Sequence, residues 1–344
     1  MSSLVLTLIK GVIALNVALV VAAALVYLER RISAWMQYRI GPNRVRPFGL
    51  LQPLADVLKL YTKEDIVPYN ASKPFHRLAP IISIAVALSV LCVIAPASYL
   101  LLDDGTKLFI AVAPNVNVGL LFYLALSSIG VYGIVLAGWS SNNKYSLLGG
   151  LRSSAQMISY ELAMGLAAVA AVMVSGSLDM NQIIASQSGG RWNLWFQPLG
   201  FLIFLVASFA ETNRAPFDLP EAEPELVGGY HTEYSGMKFG LFYLAEYANM
   251  FTASAVMTTL YLGGYDMPFL PTLLGLQEGT LPRVLFELAV FVGKVSVLLF
   301  LFIWVRWTLP RFRYDQLMNL GWRVLLPLGL ANIVITGAIV FFVR

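Results

Sequence analysis

Residues 118–139 read VGLLFYLALSSIGVYGIVLAGW and contain no acidic or basic side chain. A helix needs about 20 consecutive apolar residues to cross the hydrocarbon core of a bilayer. The whole chain shares this character, because 58% of its 344 residues are hydrophobic and 12% are charged, whereas soluble domains carry about 25% charged residues. This composition excludes a soluble protein and indicates an integral membrane protein.

Long stretches of low charge recur along the sequence. From eight such stretches we predict an all-α polytopic membrane protein that forms one integral membrane domain, residues 1–344, with eight transmembrane helices plus a short cytoplasmic amphipathic helix. An even number of spans puts both termini on the same side. The eight candidate stretches lie at about 11–28, 78–102, 118–139, 154–174, 192–210, 239–262, 284–305 and 324–343.

Basic residues fall unevenly on the two sides of this topology. Of the 23 Lys and Arg residues, 17 lie on the side of the first, third, fifth and seventh connections and 5 on the other side. The excess of Lys and Arg marks the cytoplasmic side of a membrane protein. We therefore predict that both termini lie outside the cytoplasm, and that the cytoplasmic loops cover about 29–77, 140–153, 211–238 and 306–323.

Residue types that bind metals are scarce. The chain has one cysteine, Cys92, and two histidines, His76 and His231. An iron–sulfur cluster, a structural zinc site or a disulfide framework needs more of these residues. We predict no metal ligands in this chain, so any electron transfer must use partner subunits.

The first cytoplasmic loop contains a helical pattern. Its apolar residues have helical spacing, so they share one face of a helix, and polar residues occupy the other face. Pro53 falls in the first turn, where a helix tolerates proline. This pattern predicts a short amphipathic helix along the membrane surface or under a partner; a solvated connector is the alternative. The apolar positions are Leu50, Leu51, Leu54, Val57, Leu58 and Tyr61.

The fifth connection, about 211–238, carries six acidic residues against two basic ones. Prolines at 216, 220 and 224 exclude a continuous helix there. In an extended chain, Glu221, Glu223 and Glu225 project to one face and titrate as a coupled set. The loop is thus either a proton-handling element or a solvated acidic loop.

Ionisable residues also occur inside the apolar stretches. Such residues cost roughly 2.5–3.5 kcal/mol to insert at mid-membrane and therefore tend to be functional. Glu29 and Glu211 lie at the ends of the first and fifth stretches. Glu287 and Lys294 are seven residues apart on one helix face, and sequence alone leaves open whether they are functional or structural. The four buried candidates are Glu161, Glu246, Glu287 and Lys294.

Two classes of function fit these features. A secondary transporter uses acidic residues at the membrane midplane to couple ions, whereas a component of an energy-converting complex needs large loops for soluble partners. The rich cytoplasmic loops favour the second class. In the last loop, Arg311 and Arg313 alternate with Phe312 and Tyr314, a composition typical of protein interfaces, and we predict that the two arginines dock a partner.

Four loop sequences resemble one family. They are ERRISAWMQYRIGPNRVRPFGLLQPLADVLKLYTKED (29–65), KYSLLGGLRSSAQMISYE (144–161), AETNRAPFDLPEAEPELVGGYHTEYSGMKFGLFYLAEY (210–247) and LPRFRYDQLMNLGWR (309–323). All four are similar to the cytoplasmic connections of one membrane-subunit family of proton-pumping NADH:quinone oxidoreductase, respiratory complex I. It is the family to which mitochondrial subunit 1 belongs.

This resemblance implies a quinone-cavity-forming subunit that couples quinone reduction to proton translocation. It implies that Glu29, Glu161, Glu211 and Glu246 form a proton path. The residues implied to border the quinone cavity are Asp56, Lys59, Arg214, Asp218, Glu221, Glu223 and Glu225.

The resemblance also implies the molecular setting. The expected partners are other membrane-arm subunits, the soluble iron–sulfur and quinone-site subunits, and the lipid bilayer of the bacterial inner membrane, with no nucleic acid. Quinone is the expected substrate, and FMN and iron–sulfur clusters belong to partner subunits. The alternatives are the corresponding subunit of a membrane-bound hydrogenase and a stand-alone ion-coupled transporter.

Overall fold

A computed structural model describes residues 3–45, 48–102, 105–114, 116–219 and 226–343. The described chain is mostly helical. Its longest helices, with the elements numbered in chain order, are α1 (Ser3–Met36), α3 (Lys73–Ser89), α4 (Gly119–Ser140), α5 (Lys144–Ser175), α8 (Pro198–Glu211), α9 (Gly236–Tyr261), α11 (Leu281–Thr308) and α13 (Leu326–Val343).

Short elements connect these helices. They include five short α-helices, 3-10 turns at Val90–Val93, Ser188–Gly190 and Gly229–His231, and a π-helical turn at Leu320–Leu325. The all-α prediction is wrong in one detail, because β1 (Tyr99–Leu101) pairs with β2 (Lys107–Phe109) in an antiparallel ribbon. The short helices are α2 (Gln52–Thr62), α6 (Met180–Ser186), α7 (Asn193–Phe196), α10 (Leu270–Leu273) and α12 (Tyr314–Asn319).

Among the described residues, six helical segments are long and apolar enough to cross a bilayer. A seventh exists if the bent pair Ser188–Phe196 and Pro198–Glu211 counts as one span. The membrane-protein class is thereby supported, although the eight-span count is not. The six segments are Val5–Met36, Lys73–Val93, Gly119–Ser140, Lys144–Ser175, Leu281–Thr308 and Tyr314–Phe342.

Helix α9 lies in the middle of the bundle, where it packs against α1, α2, α3, α5, α6, α7, α8 and α11. Its 26 residues include buried hydroxyls that bond to the carbonyl four residues earlier. Ser254, for example, donates to Met250 O at 2.8 Å and Thr258 donates to Ser254 O at 2.8 Å. Because protein rather than lipid surrounds this helix, it can carry Glu246 and several polar residues.

Two sequence-predicted spans differ from the observed helices. The second stretch, 78–102, ends earlier than predicted: the helical part stops at Val93 and Tyr99–Leu101 is a strand, since Pro96 has no N–H to continue a helix. The fifth stretch, 192–210, is not one straight helix, because the chain bends by 73° before α8. Helix α8 alone has 14 residues, a rise of roughly 21 Å.

The helices also extend into the predicted loops. Helix α1 continues past Glu29 to Met36, and α5 begins at Lys144 rather than near 154. The predicted cytoplasmic ranges 29–77 and 140–153 therefore contain helical residues. A charge at a helix end can stay hydrated while the helix runs on beyond the bilayer, so a window read for lack of charge underestimates the length of a helix.

The amphipathic helix predicted in the first loop is confirmed as α2, with Pro53 in its first turn and no buried residue. Asp56 pairs with Arg30 on α1 at 2.6 Å. Just after the C-terminal end of α2, Glu64 O accepts from the Ser235 hydroxyl at 3.0 Å, and Ile66 N donates to that hydroxyl at 2.9 Å. Helix α2 is thus fastened to both α1 and the start of α9, with its apolar side chains left exposed.

The bundle has two distinct ends. The loop end contains the C-terminal ends of α1, α8 and α11 and the N-terminal end of α9. The hairpin end contains the β1–β2 ribbon and the opposite helix termini. At the hairpin end, Leu101 N donates to Gly279 O at 2.8 Å and Lys10 Nζ donates to Phe109 O at 2.6 Å. The acidic and basic residues of interest gather at the loop end.

Candidate functional site

Arg214 lies at the centre of the loop end and is 1% exposed. It follows the C-terminus of α8, where Asn213 adopts a left-handed conformation with φ of 50° that asparagine tolerates better than most residues. Gln156 on α5 donates from Nε2 to Ala210 O and to Phe217 O, both at 2.8 Å. These two bonds hold the start of the acidic loop against α5 and thereby fix the position of Arg214.

The Arg214 guanidinium joins two helices through their acidic residues. Nη1 donates to Glu29 on α1, and Nε lies 2.6 Å from Glu246 Oε1 on α9. The Tyr247 ring stacks against the guanidinium, with its centroid 4.4 Å from the guanidinium carbon. Nη2 is buried and has no hydrogen-bond acceptor among the described residues.

Three further charges surround this core. Arg306 at the end of α11 donates to the second oxygen of Glu29, and Arg311 donates to Asp218 at 2.9 Å. The resulting charge cluster has three carboxylates and three guanidinium groups, so it is neutral overall when all six are ionised. The charge cluster consists of Glu29, Asp218, Glu246, Arg214, Arg306 and Arg311.

Burial and ion pairing have opposite effects on the pKa values of Arg214 and Asp218, the two members of the charge cluster that lie in the fifth connection. For Arg214, burial lowers the pKa, but the Glu246 and Glu29 carboxylates outweigh it, and the pKa is raised above its ordinary value. For Asp218, burial raises the pKa of the carboxyl, and the Arg311 and Arg306 guanidinium groups offset this only in part. Arg214 is therefore a permanent buried cation, whereas Asp218 gains a proton more easily than an exposed aspartate.

A cavity of about 50 Å³ lies beside the charge cluster, between α3, α4, α5, α8 and α9. By this measure of volume a water molecule needs about 10–15 Å³ and two to four polar partners, so the cavity has room for roughly three or four waters. The polar residues that line the cavity include two glutamates, Glu211 and Glu246. That lining consists of Ser83, Tyr123, Ser127, Glu211, Thr212, Asn213, Tyr230, Glu246, Asn249 and Thr252.

Two adjacent serines on α4 lead from the cavity to the last glutamate. Ser127 lines the cavity together with Glu211 and donates to Leu124 O at 2.9 Å, and the Ser128 hydroxyl donates to Glu161 on α5. The Glu211 and Glu161 carboxyls are near enough to interact electrostatically, and Tyr123 interacts with both. The four glutamates named from the sequence therefore form one series, with Arg214 beside its first two members and the cavity in its middle.

The structure separates the other sequence-predicted residues from this series. Asp56 and Lys59 lie on α2, where Asp56 pairs with Arg30 at 2.6 Å and Lys59 lies 3.8 Å from Asp56. Arg311 belongs to the charge cluster and is 37% exposed, whereas Arg313 is 75% exposed and 3.6 Å from Asp315. Glu221, Glu223 and Glu225 lie outside the described residues.

Glu287 and Lys294 do not contact each other as an ion pair. Glu287 accepts from Arg283 Nε at 2.7 Å and from Ser98 N at 2.9 Å. Lys294 donates to three backbone carbonyls. Both residues lie away from the charge cluster, and these contacts alone do not distinguish a functional from a structural role.

Sequence reasoning missed Arg306 as a partner of Glu29. The two residues are 277 positions apart, and in the sequence Arg306 stands out only as a topological charge. One signal was available: each of the two lies near the same end of its apolar stretch, so the predicted topology places both on the cytoplasmic side.

His231, which packs against Phe239 and Tyr243 near the start of α9, predicts a pH dependence of stability. Burial lowers its pKa from 6.5 to about 4, so the folded protein keeps this imidazole neutral while the unfolded chain protonates it below pH 6.5. Stability is therefore full above pH 6.5 and falls as the pH drops from 6.5 towards 4, by about 2 kcal/mol at pH 5.

We expect His231→Gln, which cannot titrate here, to flatten this dependence. The midpoint of thermal dissociation of the purified assembly, measured from pH 8 to pH 5, tests this expectation. An equally steep loss of stability in the variant would contradict it.

Comparisons with known proteins show which family the chain belongs to. The family model described as NADH dehydrogenase matches residues 9–337. A subunit of NADH-quinone oxidoreductase from Cytophaga hutchinsonii is 53% identical over 323 residues, covering 94% of this chain and 93% of that protein. NADH-quinone oxidoreductase subunit 8 of Rhodothermus marinus is 54% identical, covering 93% of each chain. A subunit of NADH-quinone oxidoreductase from Salinibacter ruber is 51% identical, covering 99% of this chain and 98% of that protein.

These matches extend over nearly the whole sequence and include the helices and loops that hold the charge cluster and the cavity. The resemblance of the four loop sequences is thereby confirmed, and the chain belongs to the NADH dehydrogenase family, whose members named above are subunits of NADH-quinone oxidoreductase.

Proposed function

We propose that this chain is the membrane subunit of a proton-translocating NADH:quinone oxidoreductase that helps to form the quinone cavity and couples quinone reduction to proton movement. One observation carries the proposal: a buried Arg214 links two glutamates beside a cavity that leads to two more. The names of the relatives support the same reaction. FMN and iron–sulfur clusters belong to partner subunits in this proposal, and quinone is the substrate at their interface with this chain.

The first step is a change of charge near the acidic loop. Reduction of a quinone to a quinol takes up two electrons, which come from NADH through the partner subunits, and two protons. Protons drawn from carboxyl groups around the quinone cavity leave those groups with a more negative charge. Asp218 is suited to respond, because burial already raises its pKa. Together with Glu221, Glu223 and Glu225, it forms the acidic side that we assign to the quinone cavity, and Asp56 and Lys59 on α2 form its membrane side.

The second step passes this change into the bundle. A proton on Asp218 weakens its pairing with Arg311, and a proton on Glu29 weakens its pairing with Arg214 and Arg306. Waters in the cavity would then connect Glu246 with Glu211, which both line it. Ser127 and Ser128 then lead to Glu161. Each proton moved against 100 mV needs about 2.3 kcal/mol, so the coupling must be a free-energy difference between two states of the charge cluster.

The proposed subunit crosses the membrane eight times. Six spans, the bent pair ending in α8 and the central helix α9 together give eight crossings. The distribution of Lys and Arg then places the loop end on the cytoplasmic side of the bacterial inner membrane and both termini outside the cytoplasm. Soluble partners would cover the loop end, and other membrane-arm subunits would lie beside α4 and α5, where Glu161 is half-buried.

Removing the titratable group at either end of the path tests the coupling. We expect Glu161→Gln to lower proton pumping by about tenfold or more, because Glu161 is the last acid of the series. We expect Glu221→Ala to lower it less, because Asp218, Glu223 and Glu225 remain in the acidic loop. Pumping and NADH:quinone reductase activity are measured in membrane vesicles, after native gels have established the amount of assembled complex. The control is Glu278→Gln, an exposed acid at the hairpin end; full quinone reduction with full pumping in both variants would refute the proposal.

The exposed arginines test the docking surface. We expect the double variant Arg311→Ala and Arg313→Ala to release part of the soluble arm, since arginine contributes strongly to protein interfaces. Arg313→Ala alone separates docking from the Asp218 ion pair, because only Arg311 contacts Asp218. Native gels measure attachment, with Lys107→Ala at the hairpin end as the control. A fully attached soluble arm in the double variant would show that these arginines do not dock a partner.

A further inference from the structure

The C-terminal end of α9 raises a problem of hydrogen bonding at the hairpin end. The last carbonyls of a helix have no partner within the helix, and inside a bilayer no water can bind them. Helix α9 ends at Tyr261, and the chain then turns through Gly263 and Gly264, both with positive φ. The freed carbonyl groups must be bound by side chains.

Side chains from three other segments bind these carbonyls. Gln187 Nε2 donates to Thr259 O at 2.8 Å, and Asn193 Nδ2 donates to Leu260 O at 2.8 Å. The Gln187 Oε1 atom accepts from Asn193 N and from Gly263 N, both at 3.1 Å. Gln187 therefore ties the end of α9 to the start of α7.

Lys294 completes this arrangement from the middle of α11. Its ammonium group donates to Leu262 O at 2.6 Å, to Gly264 O at 3.0 Å and to Asp266 O at 2.6 Å. A lysine ammonium has three donors, so all three are used. The Trp192 ring lies against the same group, with its centroid 4.6 Å from Nζ. We call Gln187, Asn193 and Lys294 the end cap of α9.

A dry layer separates the end cap from the cavity. On α9 the cavity is lined as far as Thr252 and Ala253. The next turns are fully buried in a core that includes Phe204 and Met164. The hydroxyls of Ser254, Thr258 and Thr259 on these turns all donate to carbonyls of the helix itself. From Ala253 to Leu262 the helix rises about 13 Å. The buried apolar residues of these turns are Ala255, Val256, Met257, Leu260 and Tyr261.

We propose that Lys294 holds the loop 262–266 over the end of α9 and, with the dry layer, closes the hairpin end of the bundle against passive proton leak from the cavity. Lys294 is thus a positioning residue: it acts by binding three backbone carbonyls of this loop. The inference goes beyond the proposed function, because it concerns a passive barrier and holds whichever direction the driven protons take.

Passive leak in the assembled complex tests the inference. The probe is the decay of an imposed pH gradient in proteoliposomes, without NADH and normalised to assembled complex. We expect Lys294→Met, which keeps the aliphatic chain and leaves three carbonyls unbound, to accelerate the decay about threefold or more. Lys294→Arg restores the donors and should restore the slow decay. The matched control is Lys10→Met, which removes a single bond to Phe109 O at the same end.

Two results would overturn the inference. One is an assembled Lys294→Met complex with the wild-type rate of leak. The other comes from amide hydrogen exchange on the wild-type complex, which decides the question if the variant does not assemble. The amides of Leu262 and Gly264 both donate to Thr258 O, at 3.0 and 2.9 Å. We expect them to exchange as slowly as the middle of α9, and rapid exchange would show that the end is open.

Discussion

Arg214→Met should abolish the function of the complex and remove most of the assembled enzyme from the membrane. The substitution keeps much of the side-chain volume but leaves Glu29 and Glu246 buried without their shared cation. Breaking a buried ion pair by removing one partner costs about 3–5 kcal/mol, a large fraction of the stability of a typical domain. Native gels and NADH:quinone reductase activity, both measured on membranes, report the loss.

A charge-neutral variant separates stability from function in this experiment. The quadruple variant Arg214→Met, Arg306→Met, Glu29→Gln and Glu246→Gln removes two guanidinium groups and two carboxylates, so the net charge is unchanged. Replacing a whole buried ionic group is often close to neutral for stability. We expect it to restore assembly and not proton pumping. Arg39→Met, an exposed arginine at the same end, is the control. Wild-type assembly and turnover in Arg214→Met would contradict the role of the charge cluster.

The second large effect concerns the cavity. Asn249→Leu changes the side-chain volume little, but it replaces a polar group that lines the cavity by an apolar one. A cavity with fewer polar partners holds water less well, so the link between Glu246 and Glu211 should fail. We expect proton pumping to fall about tenfold or more, with quinone reduction falling in parallel if turnover is strictly coupled.

A second buried asparagine provides the matched control. Asn332 on α13 is 4% exposed and lies near Gly200 and Tyr261, away from the cavity. Asn332→Leu makes the same chemical change with no effect on the cavity waters, so it should leave the rate of proton pumping per assembled complex unchanged. A wild-type pumping rate in Asn249→Leu would show that the cavity does not carry the protons.

The sequence predicted those features that are written in local patterns. The helical spacing of residues 50–61 predicts α2, and the scarcity of charge predicts most of the long helices. Glu161 and Glu246 could be singled out because an acid within an apolar helix is expensive. Each of these inferences uses neighbouring residues only, and neighbouring residues determine helix periodicity and burial.

The contacts that make the site depend on distant residues. Glu29 meets Arg214 at a separation of 185 positions and Arg306 at 277, and no local pattern fixes which helix ends meet. The Glu287 and Lys294 pattern was ambiguous for the same reason: spacing of seven places them on one face, but their partners come from Ser98 and from the loop after α9. The bend before α8 was missed because a stretch without charged residues shows that a segment is apolar but not whether its helix is straight.

The most direct test of the coupling is the protonation state of the glutamates themselves. Redox-induced infrared difference spectra of the assembled complex, recorded as bound quinone is reduced, detect carboxyl groups that gain or lose a proton. The proposed path predicts a carboxylic acid C=O band that changes on reduction and is lost in Glu211→Gln and in Glu246→Gln. Identical difference spectra in the wild type and both variants would contradict it.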